Sequence, residues 1–122
     1  MARILVIDDE GAIRRVLRVA LERKGHEVLE APTGKVALRV HAETPADLVI
    51  TDINMPDQDG LEVINALRRE QPRPKVIVMS GGSGPLKGRV FHIAQLLGAY
   101  ATVPKPFSLD EMLTIVENAL AA

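Results

Sequence analysis

Residues 4–10 read Ile4-Leu5-Val6-Ile7-Asp8-Asp9-Glu10, four apolar side chains followed at once by three carboxylates. An apolar run without alternation is typical of a β-strand buried on both faces, as in a parallel sheet. Four more apolar runs follow at intervals, so we expect five strands. The five runs are residues 4–7, 28–29 (the weakest), 48–50, 76–79 and 100–103.

Segments of helical period lie between and after these runs. Gly25 is placed to end the first helix, Thr33 precedes the second, Asp59 can cap the third, and a capping box that starts at Ser108 opens the fifth. The apolar positions at helical spacing fall into five groups, one for each expected helix. They are Ile13, Val16, Leu17, Ala20 and Leu21; Val36, Ala37 and Val40; Val63, Ile64 and Leu67; those of a segment near residues 89–97; and Met112, Leu113, Val116 and Leu120.

Strand and helix thus alternate five times along 122 residues. Such alternation predicts an α/β fold with a five-stranded parallel sheet, right-handed crossovers and helices on both faces. No repeat, low-complexity tract or interior linker divides the chain. We therefore expect one domain spanning residues 1–122.

The composition excludes several functional classes. Net charge is −1, with 15 basic and 16 acidic residues, so there is no basic footprint for nucleic acid or for a membrane surface. Aromatic residues make up only 2% of the chain, which removes stacking platforms for single strands. Cysteine is absent, and neither a signal peptide nor a membrane span is visible. We expect a cytoplasmic protein that neither inserts into a membrane nor binds nucleic acid directly.

Polar side chains follow four of the five predicted strands. Asp8 and Asp9 follow the first, Asp52 the third, Ser80 the fourth and Lys105 the fifth. Each of them alone has a simpler explanation, such as a helix cap, a turn or a solvated side chain. In an open parallel sheet, however, the carboxyl ends of the strands converge on one edge, where ligands bind. Three carboxylates that meet there repel one another unless a cation joins them.

This set of side chains suits phosphoryl transfer assisted by Mg²⁺. Oxygen ligands with few protein donors are what Mg²⁺ prefers. An aspartate can accept the phosphoryl group, and a lysine can act as a point charge on its oxygens. A small hydroxyl such as that of Ser80 can bond to these oxygens only once they are present, which would supply a switch.

The chain resembles the receiver domains of response regulators from two-component systems. The resemblance covers nearly all of it, in order, and rests on four motifs. They are residues 4–10, residues 48–60 (Leu48-Val49-Ile50-Thr51-Asp52-Ile53-Asn54-Met55-Pro56-Asp57-Gln58-Asp59-Gly60), Val78-Met79-Ser80 and Lys105-Pro106-Phe107. The resemblance implies a three-layer flavodoxin-like fold with strand order 2-1-3-4-5. It also implies a signalling switch, limited as a catalyst to its own phosphotransfer and slow autodephosphorylation.

Residue roles follow from the resemblance by position. Asp52 would accept the phosphoryl group from a histidine kinase or a histidine phosphotransfer protein. Asp9, Asp52 and the backbone carbonyl of Asn54 would hold Mg²⁺, with Asp8 acting through water. Lys105 and Ser80 would contact the phosphoryl group. The Lys105-Pro106 bond is usually cis in this family, and Asn54 and Gly82 match positions that tune dephosphorylation. The C-terminal half would then alter its binding to a downstream protein target.

Two features depart from the family pattern. Receivers usually carry an aromatic residue three positions before the lysine, where this chain has Thr102. Tyr100 lies two residues earlier and would point to the same face only in a regular strand. The loop at residues 81–88 is longer and richer in glycine than usual. We interpret it as a flexible connector, although mobility of the fourth helix or partner binding would also fit.

Alternatives remain open at this point. A phosphohydrolase with an aspartate nucleophile would also use Mg²⁺ here, but that superfamily generally has a second aspartate two residues on, where this chain has Asn54. A receiver-like module that no longer takes phosphate would have lost an acid or the lysine, and all are present. The chain could be a stand-alone protein or the receiver segment of a longer regulator.

The remaining charged residues suggest no second site. His26, His41 and His92 share no spacing with acids that would form a metal site, so we expect them at the surface or its boundary. Arg14, Arg15 and Arg18 are interpreted as a solvated helix face, on the helix that kinases of this family commonly contact.

Overall fold

Five short strands and five helices alternate in a computed structural model that describes residues 1–53, 60–81 and 87–122. The strands are β1 (Arg3–Ile7), β2 (Glu27–Ala31), β3 (Leu48–Asp52), β4 (Lys75–Ser80) and β5 (Ala101–Pro104). They form one parallel sheet in the order β2-β1-β3-β4-β5. The predicted α/β fold and its strand order are therefore confirmed.

The helices begin and end where the local signals indicate. They are α1 (Gly11–Arg23), α2 (Gly34–Glu43), α3 (Gly60–Leu67), α4 (Lys87–Leu96) and α5 (Leu109–Ala121). Thr33 and Ser108 cap α2 and α5, since their hydroxyl oxygens accept bonds from the amides of Val36 and Glu111 at 3.1 and 3.3 Å. Gly25, just beyond α1, has a φ of +90°, which favours glycine. The predicted cap Asp59 lies outside the described residues.

Successive strand residues point to opposite faces of the sheet, and each face has its own apolar core. One core lies beneath α2, α3 and α4, and the other beneath α1 and α5. The first contains Leu5, Ile7, Val49, Val78, Ala37, Val63, Ile64, Leu67 and Ala94. The second contains Ile4, Val6, Ile50, Ile77, Met79, Leu17, Leu21, Met112 and Val116. Right-handed crossovers place α1 on the face opposite α2, α3 and α4, because the chain reverses its direction across the sheet after β2, and α5 packs on the same face as α1.

Helix α1 buries a narrower stripe than its apolar pattern suggests. Leu17, Ala20 and Leu21 are buried, whereas Val16 is 53% exposed. The stripe is centred on Leu17, and the neighbouring residue in a helix lies about 100° around the axis. Val16 therefore falls at the rim of the contact with the sheet. Among the helices of the described residues, none has the length and hydropathy needed to cross a bilayer.

The expectation that all three histidines lie at the surface or its boundary was wrong for His41. This residue is only 5% exposed, near the end of α2, and its Nδ1 accepts a bond of 3.1 Å from the amide of Ala46. A buried amide needs a partner, and the imidazole supplies one where the chain turns from α2 into β3. His92 is exposed, as expected, and His26 is half-buried.

Candidate functional site

The polar residues predicted to meet do lie along one edge of the sheet. Asp8 follows β1, Asp52 ends β3, Ser80 ends β4 and Lys105 follows β5, all at carboxyl ends of parallel strands. The crossover direction reverses between β1 and β3, which are adjacent in the sheet. In open α/β sheets the crevice at such a reversal is where ligands bind.

Lys105 joins this edge together. Its Nζ lies 2.7 Å from Oδ2 of Asp8 and 3.4 Å from Oδ2 of Asp52. Its backbone amide donates a bond of 2.8 Å to the carbonyl of Ser80. The Lys105-Pro106 bond is cis, as the resemblance implied. One residue thus links the ends of four strands, since β1, β3, β4 and β5 all contribute to these contacts.

The electrostatics of this cluster favour a charged lysine. Burial by itself would lower the pKa of Lys105, but the hydrogen bond that Lys105 donates to Asp8 and the charges of Asp52 and Asp8 outweigh it, so the pKa is raised above its usual value. Asp8, Asp52 and Ser80 are all buried. Buried carboxylates are costly unless a cation and hydrogen bonds satisfy them, and Lys105 provides that cation.

The β1–α1 junction brings three carboxylates close together. One oxygen from each of Asp8, Asp9 and Glu10 lies within 4.8 Å of the others, and Asp9 and Glu10 are exposed. Oδ1 of Asp8 also accepts a bond of 2.9 Å from the amide of Glu10. This oxygen-only donor set fits a hard divalent cation. The sequence prediction named Asp8 and Asp9 but not Glu10, although Glu10 directly follows them.

Asp52 is connected to Asp8 through the Lys105 ammonium, which lies near both carboxylates, rather than through the cluster of Asp8, Asp9 and Glu10. The structure therefore brings together Asp8, Asp52, Lys105 and Ser80, with Asp9 beside them. Asn54 and Gly82, for which roles were also expected, lie outside the described residues. Most of the glycine-rich loop, residues 82–86, lies outside them as well.

A glycine allows α3 to start against the strand end that carries Asp52. A Cβ on Gly60 would lie 2.5 Å from the carbonyl oxygen of Asp52 and 2.7 Å from the Cα of Ile53. The amide of Gly60 donates a bond of 2.9 Å to the carbonyl of Ile53. Thr51 adds a bond of 2.9 Å from its hydroxyl to the carbonyl of Asp52. The backbone around Asp52 is therefore fixed from both sides.

Arg14 and Glu30 lie near the acidic cluster, and neither of them was expected from the sequence to contribute to the site. The Nη1 of Arg14 donates a bond of 2.6 Å to the backbone carbonyl of Asp8, and its Nε lies 3.1 Å from Oε1 of Glu30. Arg18 binds the other oxygen of Glu30 at 2.8 Å. The prediction of a solvated face was thus wrong for Arg14, whose side chain is 20% exposed, and right for Arg15 and Arg18. A helix pattern cannot show that a strand residue such as Glu30 draws one arginine inward.

The charges of this group are coupled. The hydrogen bond from Arg18 is the main reason why the pKa of the Glu30 carboxyl is lowered, with burial opposing it and Arg14 assisting. The hydrogen bond to Glu30 in turn raises the pKa of Arg18, as does its contact with Glu22. The contact between Glu30 and Arg18 therefore favours the charged form of both side chains.

Tyr100 does not take the place of the missing aromatic residue on the fifth strand. Strand β5 begins at Ala101, so Tyr100 lies outside it and is 43% exposed. Its ring instead lies 5.6 Å from the Nζ of Lys75, a cation–π contact. Thr102 is half-buried within β5.

Two cavities lie at opposite edges of the sheet. One of about 470 Å³ lies directly beside the site and is lined by Glu10, Ile13, Gly81, Lys105, Pro106 and Phe107. A larger one of about 630 Å³ lies at the amino ends of the strands, among residues that include His26, Asp47 and Lys75. The smaller cavity is therefore the one of the two that borders Lys105 at the carboxyl edge, where ligands bind in open α/β sheets.

Comparison with known protein families agrees with this geometry. The family model of the response regulator receiver domain matches residues 4–117. The DNA-binding transcriptional regulator NtrC of Azospirillum brasilense is 41% identical over 119 residues, which cover 98% of this chain and 24% of NtrC. The transcriptional regulatory protein KdpE of Mycobacterium tuberculosis is 38% identical over 120 residues, 98% of this chain and 51% of KdpE. The chain thus spans about a quarter of the length of NtrC and about half of the length of KdpE.

Solved structures show the same fold. A response regulator receiver domain protein from Clostridium thermocellum has a TM-score of 0.89 and 31% identity, over 99% of this chain and 95% of that one. The response regulator protein TrrA from Thermotoga maritima, solved in complex with Mg²⁺ and beryllium fluoride, has a TM-score of 0.84 and 34% identity. That match covers 98% of this chain and 99% of TrrA.

Proposed function

Because this chain belongs to the response regulator receiver domain family, we propose that it is a phosphoacceptor switch in which Asp52 takes the phosphoryl group. The observation that carries the proposal is the position of the Lys105 ammonium, which lies within 4 Å of both Asp8 and Asp52. Phosphoryl transfer depends on positioning and on neutralised charge more than on covalent assistance. A fixed cation beside a buried aspartate supplies both.

The proposed reaction transfers the group from a phosphohistidine. An oxygen of the Asp52 carboxylate attacks phosphorus, the new O–P bond forms as the N–P bond of the donor breaks, and the imidazole nitrogen keeps the electron pair. Lys105 then pairs with the oxygens of the transferred group. The cavity beside Lys105, lined in part by Phe107 and Ile13, leaves room for a donor side chain to approach.

Mg²⁺ is the proposed cofactor. The donor set fits it, because Asp8, Asp9 and Asp52 offer only oxygen ligands at one edge. In this proposal Asp9, Asp52 and the backbone carbonyl of Asn54 would hold the ion, and Asp8 would act through water. When bound, the ion neutralises charge on the phosphoryl oxygens. Its presence in the structure of TrrA supports this assignment.

Ser80 is the proposed reporter of the phosphorylated state. It is buried at the end of β4, and its carbonyl is bonded to the amide of Lys105. We propose that its hydroxyl bonds to the phosphoryl group and draws the following loop inward. A ligand shifts a conformational equilibrium only by binding one state more strongly, and this new bond is the difference between the two states.

The proposed partners are proteins. A histidine kinase or a histidine phosphotransfer protein would supply the phosphoryl group, and a downstream protein would bind the C-terminal half of the switch. NtrC and KdpE are named as regulators of transcription, and this chain matches only a part of each. We propose that its own output is protein–protein contact in the cytoplasm, without direct binding of nucleic acid or insertion into a membrane.

Intact-mass spectrometry after incubation with Mg²⁺ and acetyl phosphate tests this proposal. We expect one phosphoryl group per chain, dependent on Mg²⁺ and absent in Asp52→Asn. The exposed Asp110→Asn is the matched control and should be modified like the wild type. Several turnovers on a phosphate ester would instead favour a phosphohydrolase. If the phosphorylated product is too short-lived to detect, beryllium fluoride, an analogue of the phosphoryl group, is added and the NMR spectrum of the protein is recorded. No change in that spectrum would indicate a module that no longer takes phosphate.

A further inference from the structure

Arg14 and Glu30 form a clamp on the β1–α1 junction, outside the residues assigned to phosphoryl transfer. Arg14 lies in the first turn of α1 and Glu30 in β2, on the far side of β1 from Asp52. The guanidinium uses one nitrogen for the carbonyl of Asp8 at 2.6 Å and another for Glu30 at 3.1 Å. The planar fork of an arginine can serve two partners at once in this way, whereas an ammonium is a single point charge.

The bond from Arg14 holds the backbone of Asp8, a residue whose side chain already makes two other contacts. The two carboxylate oxygens of Asp8 bind the Lys105 ammonium and the Glu10 amide. Its carbonyl is held by Arg14, and its amide donates a bond of 3.2 Å to the carbonyl of Ala31, so Asp8 is fixed at four points. Asp9 and Glu10 follow directly in the chain, so their spacing from Asp8 depends on the same backbone.

We propose that Arg14, oriented by Glu30, is a positioning residue for the divalent cation site. It touches neither the ion nor the phosphoryl group, and acts by holding the backbone of Asp8 so that the carboxylates at the junction keep their geometry. This inference rests on the proposed function, because it assumes that the junction binds Mg²⁺. Contacts that orient metal ligands from behind typically contribute a factor of about 10 to 100 in metal affinity.

Charge and positioning predict opposite effects at Arg14, which makes the inference testable. As a positive charge near a cation site, Arg14 repels Mg²⁺, so its removal would strengthen binding if charge were all that mattered. As a positioning residue it supports the site, so its removal weakens binding. Arg14→Lys keeps the charge but loses the fork, and it separates the two effects further.

The test is a calorimetric Mg²⁺ titration of the wild type, Arg14→Met, Arg14→Lys and Arg18→Met, with no phosphodonor. Arg18 is the matched control because it binds the same Glu30 from the same helix but does not contact Asp8. We expect about a tenfold loss of affinity in both Arg14 variants. Arg18→Met should stay within about twofold of the wild type.

Hydrogen exchange of the metal-free proteins gives a second readout. The Glu10 amide is bonded to Asp8, so it should exchange faster in Arg14→Met than in Arg18→Met if the clamp holds the junction. Unchanged or tighter Mg²⁺ binding by both Arg14 variants, with the wild type binding normally, would overturn the inference alone. A wild type that does not bind Mg²⁺ would overturn the inference together with the proposed metal site.

Discussion

The ammonium of Lys105 lies 2.7 Å from a carboxylate oxygen of Asp8, a residue 97 positions earlier in the chain. The same ammonium is 3.4 Å from Asp52. Two buried acids at the ends of neighbouring strands therefore share one cation, which directly follows the last strand. We therefore expect the stability of this edge of the sheet, and the proposed phosphoryl transfer, to depend on that cation.

Lys105→Met should destabilise the fold and abolish phosphoryl transfer. Removing one partner of a buried ion pair leaves an uncompensated charge and costs on the order of 3 kcal/mol. Urea unfolding at pH 7 measures the loss, and added Mg²⁺ should recover part of it by replacing the missing positive charge. Lys35→Met, on the exposed face of α2, is the control. Equal stability of the two variants would contradict the role assigned to Lys105.

Gly60→Ala should lower both stability and the yield of phosphorylation. A Cβ at this position meets the backbone of Asp52 at 2.5 Å, so α3 must move away from the strand end. Overpacking of this kind typically costs about 1–3 kcal/mol. Gly11→Ala is a close control, because Gly11 is also the first residue of a helix and its Cβ would meet only the Arg14 side chain at 3.5 Å. Thermal unfolding should give a clearly lower Tm for Gly60→Ala than for Gly11→Ala.

His41→Ala should be destabilising although His41 is far from the site in the fold. Its loss leaves the buried amide of Ala46 without the imidazole acceptor, which costs about 1–3 kcal/mol. His92→Ala, at an exposed position, should change little. Urea unfolding curves decide the matter, and a His41→Ala protein as stable as His92→Ala would show that the bond to Ala46 is dispensable.

Glu30 should contribute to the loss of stability in acid. Its pKa is lowered in the folded protein, chiefly by the hydrogen bond from Arg18, so the folded state favours its ionised form. The resulting stability is present above the unfolded value of 4.5 and is lost as the pH falls through the lower folded value. Glu30→Gln should therefore narrow the difference in urea midpoint between pH 7 and pH 3. An unchanged difference would mean that Glu30 is not preferentially ionised in the folded state.

Much of the fold could be predicted from the sequence because the signals for strands and for helix starts are local. The continuous apolar runs located the strands, and the hydroxyls of Thr33 and Ser108 marked two helix starts that the structure confirms. The convergence of Asp8, Asp52, Ser80 and Lys105 followed from topology alone, since carboxyl ends of parallel strands share an edge.

The features that sequence reasoning missed depend on tertiary packing. His41 is buried because an amide in the next turn needs an acceptor, and Arg14 is drawn inward by a glutamate on a strand that neighbours β1. Neither partner lies at a spacing that a helix pattern would reveal. Tyr100 was included in the predicted fifth strand but lies just before it, and its contact with Lys75 required knowing which strands are adjacent.

The bond from Lys105 to Asp8 also has a consequence for synthesis. A ribosome delivers the chain from its N terminus, so both acids emerge well before the lysine that neutralises them. Until β5 has joined the edge of the sheet, the buried carboxylates lack this counter-charge, and their mutual repulsion opposes closure of the partly made domain. Completion of the last strand, which brings Lys105 to the edge of the sheet, is therefore the event that supplies the counter-charge for Asp8 and Asp52.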